Sequence, residues 1–259
     1  MVANSPSGES ILERVIRILE AFDDSAPFLT VSELSRRAEL PTTTAYRLVD
    51  EMVAAGLLER YGREVGVGMR LWELTERSSR ALTMREAARP FMDDIRSLLQ
   101  HHAVLGVLDG HEVLYVERLP TKSSTVNITK IAARLPAHAC SAGMALLAHS
   151  APEVQERFLA SRLTPYTPNT VTDPAELRRL LAQVRKQGYA SMVGVIVEQS
   201  SGVAVPVMGP DGDVLAALGI VVPIGQENVQ GCVPLLRGAA LGLERALRDI
   251  WPRREGLPA

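Results

Sequence analysis

The sequence predicts a mixed α/β chain of the α+β kind: a small helical unit with a hairpin, then an antiparallel sheet with helices packed on it. Three observations carry this. Apolar residues recur at helical spacing, with helix-start signals, through roughly the first 55 residues. Alternation of period two begins beyond His102. Helical segments then interrupt the strands once before strands return, the order of an α+β layer structure. With 46% apolar and only 4% aromatic residues in 259, the chain has aliphatic material for two modest cores.

Residues 1–9 read as a loose polar tail. "SILERVIRILEAF" places Ile11, Leu12, Val15, Ile16, Leu19 and Phe22 at helical spacing, with Ser10 and Glu13 set as a capping box. Thr30 and Glu33 repeat that spacing at the head of "TVSELSRRAEL", where Val31, Leu34 and Ala38 face inward. A third helix, "TTAYRLVDEMVAAG", buries Ala45, Leu48, Val49 and Met52 and stops at Gly56. "LLERYGREVGVG" reads as a small hairpin. Three helices and a hairpin over 10–68 make a winged helix-turn-helix.

The stretch 69–102 reads as linker helices, restarting at Thr83, with a kink or a start expected at Pro90. Residues 103–254 form the second domain. It opens with a hairpin turning at Asp109-Gly110 and a third strand, "STVNITKI". Helices follow in "SAGMALLAH", "PEVQERFLAS" and "DPAELRRLLAQVRKQG". Strands return in "YASMVGVIVEQ", "SGVAVPVMG" and "DVLAALGIVVP", and a helix from about Asn228 to Ile250 closes the domain.

Composition narrows the function classes. No apolar run has the roughly 18 residues of a membrane span, and "MVANSPSGES" has no export-signal pattern. Cys140 and Cys232 alone offer no disulfide framework, so a reducing, cytoplasmic setting is expected, with no membrane partner. In the first 80 residues ten arginines against thirteen acidic residues leave a formal charge of −3. Any contact with nucleic acid must therefore come from a local arrangement rather than a general positive field.

The third helix supplies such an arrangement. In a helix-turn-helix, residues at the start of the second helix of the pair reach base edges in the major groove. Thr42, Thr43 and Thr44 offer hydroxyls, and the helix-start amides offer an anion site. Arg47 lies one turn on, on the side of Thr43 and Thr44, placed for a guanine or a phosphate. Tyr46 suits sugar or phosphate, while Arg36 and Arg37 on the preceding helix and Arg63 in the wing suit phosphates.

"SILERVIRILEAF", "VSELSRRAELPTTTAYRLVDEMVAAGLLER" and "RLWEL" resemble the DNA-binding half of the IclR-type bacterial transcriptional regulators. The likeness continues through "VLDGHEVLYVER", "RLPAHACSAGMALLA", "YTPNTVTDPAELRRLLAQVRKQGYA" and "VAVPVMGPDGDVLAALGIVVP". It implies a GAF-like effector domain and a homodimer or homotetramer on a palindromic or near-palindromic double-stranded DNA operator. It also implies a small-molecule effector held by Ser141 and Ala142 and by positions that here read Met192, Gly202, Gly219 and Val221. None of those last four carries a charge or hydroxyl, and Met144 stands where the family commonly has lysine. An apolar wall cannot compensate the desolvation of a highly hydroxylated acid. The effector expected is a carboxylate with a hydrophobic or aromatic body, its acid end at the Ser141–Ala142 turn.

Two other readings stay open: an enzyme built on the second domain, or a ligand-blind DNA-binding protein. His138 and Cys140 alternate on what reads as an extended segment, as a Cys/His pair might, but no orienting acid is near in sequence. His101-His102, read on a helix, cannot face one metal, and the glycines of "GREVGVG" do not form a phosphate loop. No enzyme activity, cofactor or metal is expected.

Overall fold

The computed structural model describes residues 9–23, 25–78, 80–121 and 131–250. The chain divides into two compact units, Met1–Ser79 and Arg80–Ala259. In the first, α1 (Ile11–Glu20), α2 (Val31–Arg37) and α3 (Thr42–Ala54) enclose a core of Ile18, Leu34, Leu48, Val49 and Met52. α1 and α2 both carry complete capping boxes, Ser10 with Glu13 and Thr30 with Glu33. The apolar stripe of α1 is split: Val15, Leu19 and Phe22 pack on the core, whereas Leu12 is 73% exposed and Ile11 and Ile16 also face outward.

The hairpin is β2 (Leu58–Tyr61) and β3 (Glu64–Val67), closed by the two-residue loop Gly62–Arg63. Gly62 has φ +65°, which a side chain would resist, and Arg63 is thereby held at the wing tip. A strand not foreseen, β1 (Phe28–Thr30), pairs with β3 and makes the sheet three-stranded. Three residues after a proline are too few to show alternation, and only the ladder to β3 defines them. α4 (Met69–Ser78) completes the unit, its first amide bonded to Glu59 Oε1 at 2.9 Å.

The second unit is a six-stranded antiparallel sheet in the order β6-β5-β4-β9-β8-β7. Its strands are β4 (His102–Asp109), β5 (Glu112–Leu119), β6 (Arg134–Pro136), β7 (Ala190–Val193), β8 (Ser200–Met208) and β9 (Val214–Pro223). α5 (Arg80–Leu99) and α9 (Val229–Ile250) cover one face over Leu105, Val205, Leu218 and Ile220. α6 (Ser141–His149), α7 (Pro152–Leu159) and α8 (Pro174–Gln187) cover the other. Half of the expected linker is thus sheet-packing core. Met84, Ala88, Met92 and Ile95 of α5 are buried, and Glu117 on β5, 1% exposed, accepts from Arg85 Nε at 2.8 Å.

Local differences have local causes. α5 starts at Arg80, at neither Thr83 nor Pro90, and runs through Pro90 because the fully buried Ala88 and Met92 hold both sides of it on the sheet. His101 and His102 fall between α5 and β4, not on a helix. The strand expected from "YASMVGVIVEQ" ends at Val193. There the hydroxyls of Thr167 and Thr170 donate to the carbonyls of Gly194 and Val195 in place of a neighbouring strand. The strand expected over 124–131 lies almost wholly outside the described residues. Among those described, no helix is long and apolar enough to cross a membrane, and no group of three or more His, Cys, Asp or Glu is placed to hold a metal.

Candidate functional site

α3 begins differently from its neighbours. Its N-cap residue is Pro41, and no side-chain hydrogen bond closes the first turn. Thr42, Thr43 and Thr44 therefore occupy the first three helical positions, not the cap. The first helical bond runs from Ala45 N–H to the Pro41 carbonyl, 2.9 Å, so the amides before it have no partner within the helix. Thr42 and Thr43 are exposed and Thr44 is half-buried. The turn into α3 is rigid: Ser35 Oγ donates to the Leu40 carbonyl at 2.7 Å and lies 3.3 Å from Thr42 Oγ1.

Tyr46, Arg36 and Arg63 are exposed. Arg47 pairs along the helix with Glu51 at 2.5 Å, an exposed i,i+4 contact that a stronger anion can displace. Arg37 has a structural job: its Nη1 donates to the Ala21 carbonyl (2.9 Å) and to Asp23 (3.0 Å), fixing α2 to the end of α1.

In the second unit a cavity of about 340 Å³, its open mouth included, lies at the start of α6. Met192 on β7, Gly202 on β8 and Val221 on β9 form one row across its floor, each directly opposite the next. Ser141 stands over this row, because a Cβ on Gly202 would come 2.7 Å from Ser141 Oγ. Ser141, Met192, Gly202 and Val221 thus converge on the cavity as expected positions. Ala142 and Gly219 do not line it. Gly219 is filled against instead: a Cβ there would meet the Val203 carbonyl at 2.7 Å, so its bareness serves strand packing. Ala142, 1% exposed, packs between α6 and the sheet.

Sequence reasoning missed other walls. Tyr115, Cys140, Ser200 and Ser201 line the cavity with Val195 and Ile196 of the segment after β7. The cavity is therefore not bare of hydroxyls, although those of β8 are engaged. Ser200 donates to the Val197 carbonyl (3.0 Å) and Ser201 to that of Met192 (3.3 Å). Tyr115 and Cys140 lie together in the lining. Burial pushes the Cys140 thiol up to about 11, against the Gly143 amide and the Tyr115 hydroxyl, and burial also raises the Tyr115 phenol. Both stay protonated at neutral pH, so the lining has no charged side chain.

The α6 start has Cys140 as its N-cap residue and no side-chain cap hydrogen bond. The preceding segment is a 3₁₀ turn, Ala137–Ala139, not an extended strand, and it sends His138 to the Thr164 carbonyl at 3.0 Å.

A winged helix-turn-helix joined to a separate α+β unit with its own cavity is the architecture of a ligand-binding transcription factor. Residues 11–62 match the IclR helix-turn-helix domain and residues 77–244 the bacterial transcriptional regulator IclR C-terminal domain. The chain belongs to the IclR family of bacterial transcriptional regulators. It is 27% identical to the Pca regulon regulatory protein of Pseudomonas putida over 92% of this chain and 84% of that one. It is 30% identical to the HTH-type transcriptional regulator BhcR of Paracoccus denitrificans over 73% and 68%. Among solved structures, an IclR homolog from Microbacterium hydrocarbonoxydans complexed with 4-hydroxybenzoate shares 45% identity, with 93% and 100% coverage and a TM-score of 0.86.

Proposed function

We propose that this regulator reads a palindromic or near-palindromic operator with the start of α3 and answers to a carboxylate with a hydrophobic or aromatic body. The observation that carries the first half is the uncapped, exposed turn at Thr42–Thr44 on a rigid support. Its free amides and hydroxyls suit phosphates and base edges, Arg47 a guanine or a phosphate, Tyr46 the backbone, and Arg36 and Arg63 the phosphates either side. A homodimer or homotetramer supplies the second half-site. The exposed apolar residues Leu12 and Ile16 of α1 and Met69 and Trp72 of α4 are suited to that pairing.

The effector half rests on the α6 start. Ser141 and the first amides of α6 offer donors to a carboxylate, while Met192, Val195, Ile196 and Val221 suit an apolar body. The Microbacterium homolog's ligand, 4-hydroxybenzoate, is an acid of this class. Occupancy alters operator affinity only if the ligand binds two states unequally, with α4 and α5 joining the units along the chain.

Selection of binding sites from random duplexes with the full chain tests the first half. Two-fold related half-sites are expected, and an Arg47→Ala protein should lose affinity and part of its salt dependence. Recovery of no preferred sequence would leave the ligand-blind or enzymatic readings. Thermal shift tests the second: if short keto acids or sugar acids stabilise the protein and aromatic acids do not, the effector class is wrong.

A further inference from the structure

The hydroxyls that line the cavity fall into two pairs. Ser200 and Ser201 donate to the carbonyls of Val197 and Met192. Ser141 and Tyr115 are 8% and 2% exposed, and neither hydroxyl bonds to a nitrogen or oxygen of the described residues. A buried hydroxyl without such a partner costs free energy. Both of these border the same cavity, where a ligand oxygen can complete them.

The fold holds the Tyr115 ring in that place. Its amide donates to the Ala133 carbonyl at 3.0 Å and its carbonyl accepts from the Ala132 amide at 2.8 Å, which ties β5 to the segment leading into β6. The residue opposite on β4 is Gly106, where a Cβ would press into Val113 and come 3.6 Å from Tyr115 Cε1. A glycine there leaves room for the ring against the sheet. Tyr115 packs in the layer beneath α6, in one cluster with Ala137, Cys140 and Ala142. Cys140 and Ser141 line the cavity as consecutive residues at the uncapped start of that helix. Burial keeps the phenol protonated at neutral pH, so it meets the cavity with a proton to donate.

We infer that Tyr115 is a binding residue for the acid end of the effector, its phenol donating to the same carboxylate that Ser141 and the first amides of α6 receive. This rests on the effector reading above and deepens it. The anion is then held by neutral donors alone, since no charged side chain lines the cavity. Hydrogen bonds to an ionised acceptor are about twice as strong as neutral ones, so a single donor at that end has a measurable effect.

Benzoate and 4-hydroxybenzoate share the acid end and differ at the far end of the ring, so together they show which end the phenol meets. In calorimetric titrations of the full chain, Tyr115→Phe is expected to weaken both acids by the same factor, roughly ten-fold. Ser141→Ala should weaken both alike as well. Unchanged affinity for both acids in Tyr115→Phe would overturn the inference while leaving the effector reading in place. A loss confined to 4-hydroxybenzoate would put the phenol at the ring's far substituent, which also overturns it. Unfolding curves separate misfolding from lost binding. A measurement on the parent protein covers a variant that does not fold. With carbon-13 at Cζ of its five tyrosines, one tyrosine resonance should move when benzoate is added, and movement of none would sink the inference. If the parent protein binds neither acid, the effector reading falls and takes this inference with it.

Discussion

The helix starts of α3 and α6 both lack a side-chain cap and lie in opposite surroundings; α7 lacks one too, with Pro152 in its first turn. At α3 the open turn is exposed, with Thr42 and Thr43 facing solvent. At α6 it is buried, with Ser141 8% and Ala142 1% exposed. α1, α2 and α8 meet the same need internally through Ser10, Thr30 and Asp173. An uncapped start is a set of donors awaiting an outside acceptor. Burial decides the acceptor: a large polyanion can reach the first, and only a small, largely dehydrated ligand can reach the second.

The largest effect is expected from filling the buried start. Gly202→Val puts atoms where Ser141 Oγ already stands, so unfolding should show a loss of about 1–3 kcal/mol. Effector binding by calorimetry should disappear, and operator binding in the absence of effector should survive. Loss of both together would mean the two starts are not separable.

At the exposed start, Arg47→Ala should weaken a specific operator by about 1–3 kcal/mol in anisotropy titrations. Its effector affinity should match the parent protein. A smaller contrast comes from two threonines. Thr30→Ala removes a capping bond within the fold and should lower stability by about 1 kcal/mol. Thr42→Ala removes no cap but does remove the contact with Ser35 Oγ, so denaturant midpoints should move less than for Thr30→Ala while operator affinity falls. If Thr42→Ala destabilises as Thr30→Ala does, the difference between closed and open starts is illusory.

The finest test is pH. The Thr30 hydroxyl and amide hold the Glu33 carboxyl below its usual value. A depressed folded-state pKa contributes stability above the unfolded value, near 4.5, and loses it as pH falls through the folded one. Glu33→Gln should flatten that part of the acid-unfolding curve. No such region is expected from α3, whose first turn holds no acid.

Much of this was legible before the structure. The capping boxes, the turns at Gly56 and Asp109-Gly110, and the buried face of α3 follow from local chemistry that acts within four residues. Ser141, Met192, Gly202 and Val221 met at the cavity because the family resemblance carried their positions. Tyr115, Ser200 and Ser201 were missed because nothing in their neighbourhoods sets them apart from ordinary buried strand residues, and Cys140 was weighed only as a partner of His138. Ala142 and Gly219 carried effector positions from the same resemblance, and the cavity's lining does not include them.

The sequence by itself determined where helices start and stop, which starts are closed by their own side chains, and that one set of threonines follows a proline that cannot cap. Hydrogen bonds between near neighbours need no more than their order along the chain. Only the tertiary structure decided which open start is solvent-facing and which lies in a cavity, and that α5 is sheet core. Those outcomes depend on strand register and on contacts between distant segments, for which adjacency in sequence holds no information.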